Sequence, residues 1–362
     1  MVLRLPATHL SFFRVSVAVF FCLSILPSLS DGLYAQAQEI APPAWEWHAV
    51  SGSSCRNGSE AGYFLRRNVF DQRLLIYLEG GGACFNPLTC AANPSAVGNQ
   101  MPGREGIFSE SDENPVKGWN AMYVPYCTGD IFTGNRTGVS VSGVNGKQNF
   151  VGGHNLQLFM DDLRKTHPEL ELIVLSGSSA GGMGAAFNFP MVKSKWTDTP
   201  VVLIDDSGFP LEDEYLRPCL QKTFRDLWGL SETLPADCPE CKGEDGGGLV
   251  EFTRYLRVNY SERQMGMIMS TQDNILRFFF GFSQNDCKVL VPGIAGKTFE
   301  KGVKSIKEGY LQDSIKTFIV PGETHTFLSS KGFYQTKLEN QTMAAWVKDL
   351  IDQEAVDRGP YK

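Results

Sequence analysis

The chain has 362 residues, enough for one large domain or two small ones, and 42% of them are hydrophobic. Its formal net charge at pH 7 is −7, which disfavours nucleic acids and anionic membranes as partners. The same charge provides no overall attraction to a polyanionic polysaccharide.

The first part of the chain has the pattern of a secretory signal peptide. Arg4 and Arg14 precede an apolar stretch over residues 15–29, and an Ala-x-Ala sequence ends at Ala37. We therefore predict a signal peptide over residues 1–37 and one domain over residues 38–362, in a secreted protein that is extracellular or periplasmic. An uncleaved signal anchor is the alternative. Because no later stretch has the ~18 continuous apolar residues of a membrane helix, we expect no stable membrane insertion of the mature chain.

Cysteine usage agrees with export. The chain has nine cysteines, and loss of Cys22 with the signal peptide leaves an even number, which suggests disulfide bonds in an exported protein. Cys238-Pro-Glu-Cys241 is also compatible with half of a zinc site or with a redox pair. No second CxxC motif or nearby histidine supports zinc, so we expect disulfides and no metal.

A glycine-rich loop follows the first predicted strand. Residues 45–63 are predicted as a Gly/Ser-rich entry segment, and residues 73–78 as an apolar strand that leads into Gly80-Gly81-Gly82. Three glycines after a strand, upstream of an elbow serine, resemble the oxyanion loop of esterases. Backbone without side chains can turn its N–H groups towards a developing oxyanion. A flexible turn is the alternative.

The most informative stretch is a buried strand from Leu172 that feeds into Gly177-Ser178-Ser179-Ala180-Gly181. This sequence fits the G-x-S-x-G nucleophile elbow. The two glycines leave room for a neighbouring strand and helix to pass close to the turn. A helix that starts near Ala180 would also point its positive end at the group that Ser179 attacks. A Gly/Ser-rich turn without catalytic function is the alternative.

Strands and helices alternate through the rest of the chain. Strands are predicted over residues 121–124, 201–204, 265–270 and 315–320, and helices over residues 155–166, 182–193, 252–258 and 341–356. This alternation indicates an α/β fold with a mostly parallel central sheet flanked by helices. Residues 209–248 interrupt the alternation and are rich in Pro, Cys and acidic residues, so we predict a disulfide-pinned cap over the active site.

Chain order selects the candidate base. In α/β-hydrolases the catalytic triad follows the order Ser, acid, His, and His325 is the only histidine after Ser179. The acid is less determined, because Asp205, Asp206 and Asp273 all follow predicted strands between these two residues. Each of them is also compatible with capping a helix or bracing a turn. The pattern favours Asp273 slightly and leaves the other two open.

Three segments together resemble the pectin acetylesterase/Notum family, from Trp45 to the last predicted helix. They are Leu78-Glu79-Gly80-Gly81-Gly82-Ala83-Cys84-Phe85-Asn86, Val124-Pro125-Tyr126-Cys127-Thr128-Gly129-Asp130 and Gly177-Ser178-Ser179-Ala180-Gly181-Gly182. The resemblance implies an α/β-hydrolase-like fold and a Ser-Asp-His triad that works without a cofactor.

The same resemblance assigns roles to individual residues. It implies Ser179 as nucleophile, Asp273 as acid and His325 as base. The oxyanion donors that it implies are the N–H groups of Gly81, Gly82 and Ala180. It also implies disulfides between Cys84 and Cys90 and between Cys55 and Cys127. The pairing of Cys219, Cys238, Cys241 and Cys287 stays undetermined.

The function that this resemblance implies is a serine carboxylesterase that removes O-acetyl groups from a polysaccharide through an acyl-enzyme. The chain departs from the plant members at Ala83, where they have tryptophan, and at Thr326, where they have cysteine. These two differences bear on which substrate the protein accepts more than on which reaction it catalyses. The alternatives are a lipase-like enzyme or protein O-deacylase that acts on longer acyl chains, and a non-catalytic carbohydrate-binding protein.

Overall fold

The central strands carry apolar side chains on both faces, so the sheet that they form requires a covering layer on each side. The computed structural model describes residues 44–98, 101–312 and 314–361. The predicted signal peptide, residues 1–37, lies outside the described residues.

The strands follow in chain order as β1 Trp45–Ser54, β2 Glu60–Arg66, β3 Arg73–Leu78, β4 Asn120–Val124, β5 Arg136–Val139, β6 Gln148–Phe150, β7 Leu172–Ser178, β8 Val201–Asp206, β9 Met265–Ser270, β10 Ile315–Val320, β11 Lys337–Leu338 and β12 Gln341–Thr342. Within the described ranges, eight of them form the main sheet in the spatial order β1-β2-β4-β3-β7-β8-β9-β10. Strand β2 is antiparallel to both of its neighbours, and the pairs from β4 to β10 are parallel. The predicted mostly parallel sheet is confirmed.

The helices are α1 Pro87–Ala92, α2 Gly152–Thr166, α3 Ala180–Lys195, α4 Pro218–Trp228, α5 Leu230–Thr233, α6 Glu251–Asn259, α7 Asn274–Gln284, α8 Gly296–Gly309, α9 Gly332–Gln335 and α10 Met343–Ile351. Short 3₁₀ turns occur at Gly106–Phe108 and Glu240–Lys242. None of the helices in the described ranges is long and apolar enough to cross a membrane.

Alternation along β3 explains the layers on the two faces of the sheet. Leu74 and Ile76 lie in the hydrophobic core that contains residues of α2 and α3. Leu75 and Tyr77 face the opposite core, which contains Trp346 of α10. Each of these strand side chains is almost completely buried. The sheet is therefore the middle of three layers, and the carboxyl ends of its parallel strands meet at one edge.

The segment predicted as a cap, residues 209–248, contains α4 and α5. A disulfide between Cys219 and Cys287 ties α4 to the residues that follow α7, and a second disulfide joins Cys238 to Cys241. These two pairings are the ones that sequence left open. Elsewhere, Cys55 pairs with Cys127 and Cys84 with Cys90, as the family resemblance implies.

Two parts of the secondary structure differ from the sequence-based prediction. The segment over residues 45–63, predicted as an irregular entry, forms β1 and part of β2 at the antiparallel edge of the sheet. The last helix was predicted over residues 341–356, but α10 is shorter. It begins after Thr342, whose hydroxyl caps the helix by accepting from the Ala345 N–H, and it ends at Ile351.

Candidate active site

Ser179 lies at the sharp turn between β7 and α3. Its backbone has φ 58° and ψ −121°, a conformation that residues with a side chain rarely adopt. Gly177 and Gly181 are required here: a Cβ atom at Gly181 would overlap the carbonyl oxygen of Leu78, and one at Gly177 would overlap that of Gly181. The Ser179 N–H donates to the carbonyl oxygen of Asp206 at 2.7 Å. The sequence therefore folds into a strained elbow that presents the Ser179 side chain at the edge of the sheet.

His325 and Asp273 form a hydrogen-bonded pair. His325 Nδ1 lies 2.7 Å from Asp273 Oδ2. Because a carboxylate oxygen accepts, the imidazole proton lies on Nδ1 and leaves Nε2 as an acceptor. The other oxygen of Asp273 caps α7 by accepting the N–H groups of Ile275 and Leu276 at 2.9 Å each. The two roles considered from sequence, helix cap and partner of the histidine, thus occur in the same buried carboxyl group.

The other two candidate acids do not contact His325 through a hydrogen bond. Asp206 Oδ2 accepts from the Ser178 hydroxyl at 2.6 Å and from the N–H groups of Phe327 at 2.8 Å and Leu328 at 2.9 Å. Asp206 therefore fastens the loop that carries His325 to the end of β8. Burial raises the pKa of Asp206, while these hydrogen bonds act in the opposite direction.

Asp205 is completely buried, and its two carboxyl oxygens lack a hydrogen bond of good geometry. Burial, followed by the neighbouring Asp206 carboxyl, raises the pKa of Asp205 well above its ordinary range, while the Gly208 N–H acts in the opposite direction. An unpaired buried acid remains protonated because its charged form would lose hydration without compensation. The surroundings of Asp205 therefore favour the neutral form of its carboxyl group.

The residues predicted to supply the oxyanion donors lie close to Ser179. Gly81 and Gly82 line the same cleft as Ser179, and Ala180 is the first residue of α3. Gly82 has φ +78°, a left-handed backbone conformation that favours glycine. Within the described residues, the N–H groups of Gly81, Gly82 and Ala180 donate no hydrogen bond to another backbone carbonyl. They are therefore available to a substrate oxygen.

Two cavities meet at Ser179. An open cleft of about 460 Å³ contains His325, Glu79 and the glycine loop. Its lining also includes the aromatic side chains Tyr77, Phe108 and Tyr123. Ser179 and His325, both within the described ranges, border this cleft, but no hydrogen bond joins the two side chains. In the absence of substrate, hydrogen bonds between catalytic groups are often long, and they tighten when substrate binds.

The second cavity is apolar and much smaller, about 40 Å³. Its lining includes Ser179, Gly82 and Ala83, and Phe224 from α4 and Phe279 from α7 form part of its wall. The predicted cap segment thus contributes directly to the wall of this pocket. Sequence reasoning missed this wall, because aromatic spacing in a helix is also typical of ordinary core packing.

No group of three or more His, Cys, Asp or Glu side chains in the described ranges is arranged to hold a metal ion.

The anchoring of the oxyanion loop by Asn93, whose amide donates to the Gly81 carbonyl at 2.6 Å, was also missed from the sequence. A lone asparagine after a short helix carries no signal of such a role. Burial raises the pKa of Glu79, which accepts the Tyr126 N–H at 2.8 Å beside the same loop.

These features define a class: an α/β-hydrolase fold with a serine at a strand-to-helix elbow beside a histidine–aspartate pair. A solved structure of the Wnt deacylase Notum from Drosophila is similar to this chain, with a TM-score of 0.66 and 19% identity over 84% of this chain and 92% of that one. At this identity the likeness concerns the fold, and it confirms the predicted α/β-hydrolase-like architecture.

Sequence comparison identifies the family. Palmitoleoyl-protein carboxylesterase notum2 of Xenopus laevis is 32% identical over 180 residues, which are 45% of this chain and 36% of that protein. The Mus musculus palmitoleoyl-protein carboxylesterase NOTUM is 29% identical over 196 residues, 51% of this chain and 37% of that protein. The chain thus matches little more than a third of the length of these relatives. A profile of the pectinacetylesterase family matches residues 41–254, more than half of the chain, and the chain belongs to this family, as the resemblance predicted.

Proposed function

We propose that this chain is a secreted serine carboxylesterase that removes O-acetyl groups from a polysaccharide. One observation carries the proposal: Ser179 lies between an open cleft bordered by His325 and an apolar pocket of about 40 Å³. Membership of the pectinacetylesterase family supports the reaction class. The disulfides of the described chain support a secreted location, because such bonds persist in oxidising compartments.

The proposed mechanism follows from the positions of the side chains. His325 Nε2 takes the proton of Ser179 Oγ as that oxygen attacks the ester carbonyl carbon. Asp273 holds the imidazole in the required orientation and stabilises the imidazolium. The tetrahedral oxyanion accepts hydrogen bonds from the N–H groups of Gly81, Gly82 and Ala180, where loss of one donor costs on the order of 3 kcal/mol of barrier. The alcohol leaves with the proton from His325, and water then releases acetate from Ser179.

The size of the apolar pocket supports a short acyl group. Its volume of about 40 Å³ accommodates roughly three water-sized groups, at about 10–15 Å³ each. An acetyl methyl fits, whereas an octanoyl chain would bring six more carbons against Phe224 and Phe279. Forcing additional methylenes into a filled apolar site costs about 1–3 kcal/mol. We therefore expect kcat/KM for an acetyl ester to exceed that for an octanoyl ester by about 5- to 150-fold.

The cleft supports a large polar alcohol, such as a sugar residue of a polymer. Its aromatic side chains offer flat surfaces, and the Tyr123 hydroxyl and the Glu79 carboxyl offer hydrogen-bonding groups. Among the described residues that line it, none is Lys or Arg. Charge attraction therefore contributes little to binding, and turnover on acetylated polysaccharide should depend only weakly on salt.

A second candidate is a protein O-deacylase that accepts a long acyl chain. It is favoured by the names of the relatives, which are palmitoleoyl-protein carboxylesterases. The small pocket beside Ser179 disfavours it. The two candidates predict opposite rankings of acyl chain length.

The test is kcat/KM for p-nitrophenyl acetate, butanoate and octanoate, together with labelling by a fluorophosphonate. Ser179→Ala should abolish both hydrolysis and labelling. Ser178→Ala is the matched control: this neighbouring serine bonds to Asp206 rather than facing the acyl pocket, so the variant should still be labelled. Equal labelling of wild type and Ser179→Ala would contradict the nucleophile assignment. A rise in kcat/KM from acetyl to octanoyl would favour the deacylase instead.

A further inference from the structure

Asn93 lies behind the oxyanion loop, on the side away from the cleft. It is the C-cap residue of α1, three residues after Cys90 of the Cys84–Cys90 disulfide, and it is 5% exposed. Its side-chain Nδ2 donates to the carbonyl oxygen of Gly81 at 2.6 Å. Because the acceptor is a carbonyl, the orientation of this amide is determined: the nitrogen, and not the oxygen, faces Gly81.

This hydrogen bond determines the direction of a neighbouring donor. In a trans peptide the carbonyl oxygen of one residue and the N–H of the next point in opposite directions. The Gly81 carbonyl points back to Asn93, so the Gly82 N–H points forward, where Gly82 borders both the cleft and the acyl pocket at Ser179. Neither cavity is lined by Asn93 itself.

Asn93 is itself held in place by a contact with Arg56. The Arg56 guanidinium is buried and donates from Nη2 to the Asn93 carbonyl at 2.7 Å and to the Cys90 carbonyl at 3.0 Å. Its Nη1 donates to Gln148 Oε1 at 2.7 Å. Arg56 follows Cys55, which the disulfide to Cys127 fixes. A connected set of contacts therefore leads from the edge of the sheet to the Gly81–Gly82 peptide.

We propose that Asn93 is a positioning residue for the oxyanion hole, acting through the Gly81 carbonyl to aim the Gly82 N–H at the substrate oxygen. This inference rests on the proposed esterase function. A glycine loop has little intrinsic preference for one peptide orientation. The hydrogen bond from Asn93 selects the orientation before substrate binds, so the donor needs no reorganisation in the transition state.

The expected effect follows from this role. Asn93→Ala removes the donor, and Asn93→Asp keeps the shape but presents an oxygen to the Gly81 carbonyl. Both should lower kcat for p-nitrophenyl acetate by about 10- to 100-fold, less than or comparable to the loss of one oxyanion donor, with KM changed by less than about twofold. The inhibition constant of methylboronic acid, which forms a tetrahedral adduct with a serine oxygen, should rise in proportion to the loss of kcat/KM.

The matched control is Asn86→Ala. Asn86 caps the opposite end of the same helix, α1, by accepting the Thr89 N–H, and it makes no hydrogen bond to the glycine loop. This variant should lose a similar amount of thermal stability while its kcat and its boronate affinity stay near those of the wild type. A loss of kcat in Asn86→Ala equal to that in Asn93→Ala would overturn the proposal, because a loosened loop would then explain both.

Normal kcat and boronate affinity in both Asn93 variants, with an active wild type, would overturn this inference alone. Hydrolysis at the same rate by wild type and Ser179→Ala would instead overturn the proposed function, and this inference with it. The two failures are distinguished by the Ser179→Ala measurement.

Discussion

Replacing Asp273 with asparagine separates the catalytic role proposed for this carboxyl group from its structural role. Oδ1 accepts two N–H groups of α7, whereas Oδ2 accepts from His325 Nδ1 at 2.7 Å. An asparagine whose amide oxygen stays at the helix keeps the first two bonds, but its NH₂ group then faces His325. To avoid two opposed donors, the imidazole must place its proton on Nε2. That atom can then no longer accept the proton of Ser179.

The catalytic and the structural role of Asp273 are expected to contribute free energies of very different size. The wrong histidine tautomer costs about 10⁴-fold in kcat in serine proteases, which corresponds to about 5 kcal/mol of barrier. The lost negative charge at the N-terminus of α7 costs only about 0.3–1 kcal/mol of stability. We therefore expect Asp273→Asn to lower kcat by about 10³- to 10⁴-fold while the free energy of unfolding falls by about 1 kcal/mol or less.

For Asp206 we expect the opposite balance, in which the carboxyl group matters more for stability than for turnover. Its Oδ2 accepts three donors. The Ser178 hydroxyl also contacts the Tyr77 hydroxyl at 2.6 Å, so Asp206→Ala leaves the N–H groups of Phe327 and Leu328 buried without this acceptor, at about 1–3 kcal/mol each. That variant should lose on the order of 3 kcal/mol of stability or more. Asp206→Asn keeps an acceptor oxygen and should cost much less turnover than Asp273→Asn.

The assay combines urea unfolding with kcat for p-nitrophenyl acetate on the same preparations. His325→Ala provides the reference for loss of the base. If Asp206→Asn proves as inactive as His325→Ala while Asp273→Asn remains nearly normal, the acid has been assigned to the wrong residue.

Two further variants test the electrostatics and the acyl pocket. Because the pKa of Asp205 is raised in the folded state, the unfolded chain releases this proton first, and stability falls as the pH rises above the ordinary carboxyl value towards the folded one. Asp205→Asn should therefore be more stable than wild type at neutral pH, with the difference vanishing near about pH 4; a difference independent of pH would contradict this. Phe279→Ala should enlarge the pocket and raise the butanoyl-to-acetyl ratio of kcat/KM by about tenfold, whereas Phe278→Ala, which does not line the pocket, should leave that ratio unchanged.

Local sequence was sufficient to predict those strands and turns whose conformation depends mainly on one segment of the chain. The apolar runs at β3, β7 and β9 are predicted correctly, because a strand buried on both faces is apolar along most of its length. The elbow was predictable for a similar reason. Gly177 is required by a close contact within the strand–turn–helix unit itself, although Gly181 is required by the carbonyl of Leu78 in the neighbouring strand β3. The location of β1 was not predictable, since an edge strand with many exposed residues has the composition of a loop.

The residue pattern left open which acid meets His325, the family resemblance implied Asp273, and the tertiary structure supplies the physical reason. Asp205, Asp206 and Asp273 all follow strands of a parallel sheet, so sequence places all three at the same edge. The spatial order of the strands makes the choice: β9 and β10 are neighbours, with Ser270 opposite Val320, and the residues that follow them are therefore adjacent. Asp206 ends β8, one strand further away, and reaches only the residues after the histidine. Strand order depends on contacts across the whole chain, and no local pattern encodes it.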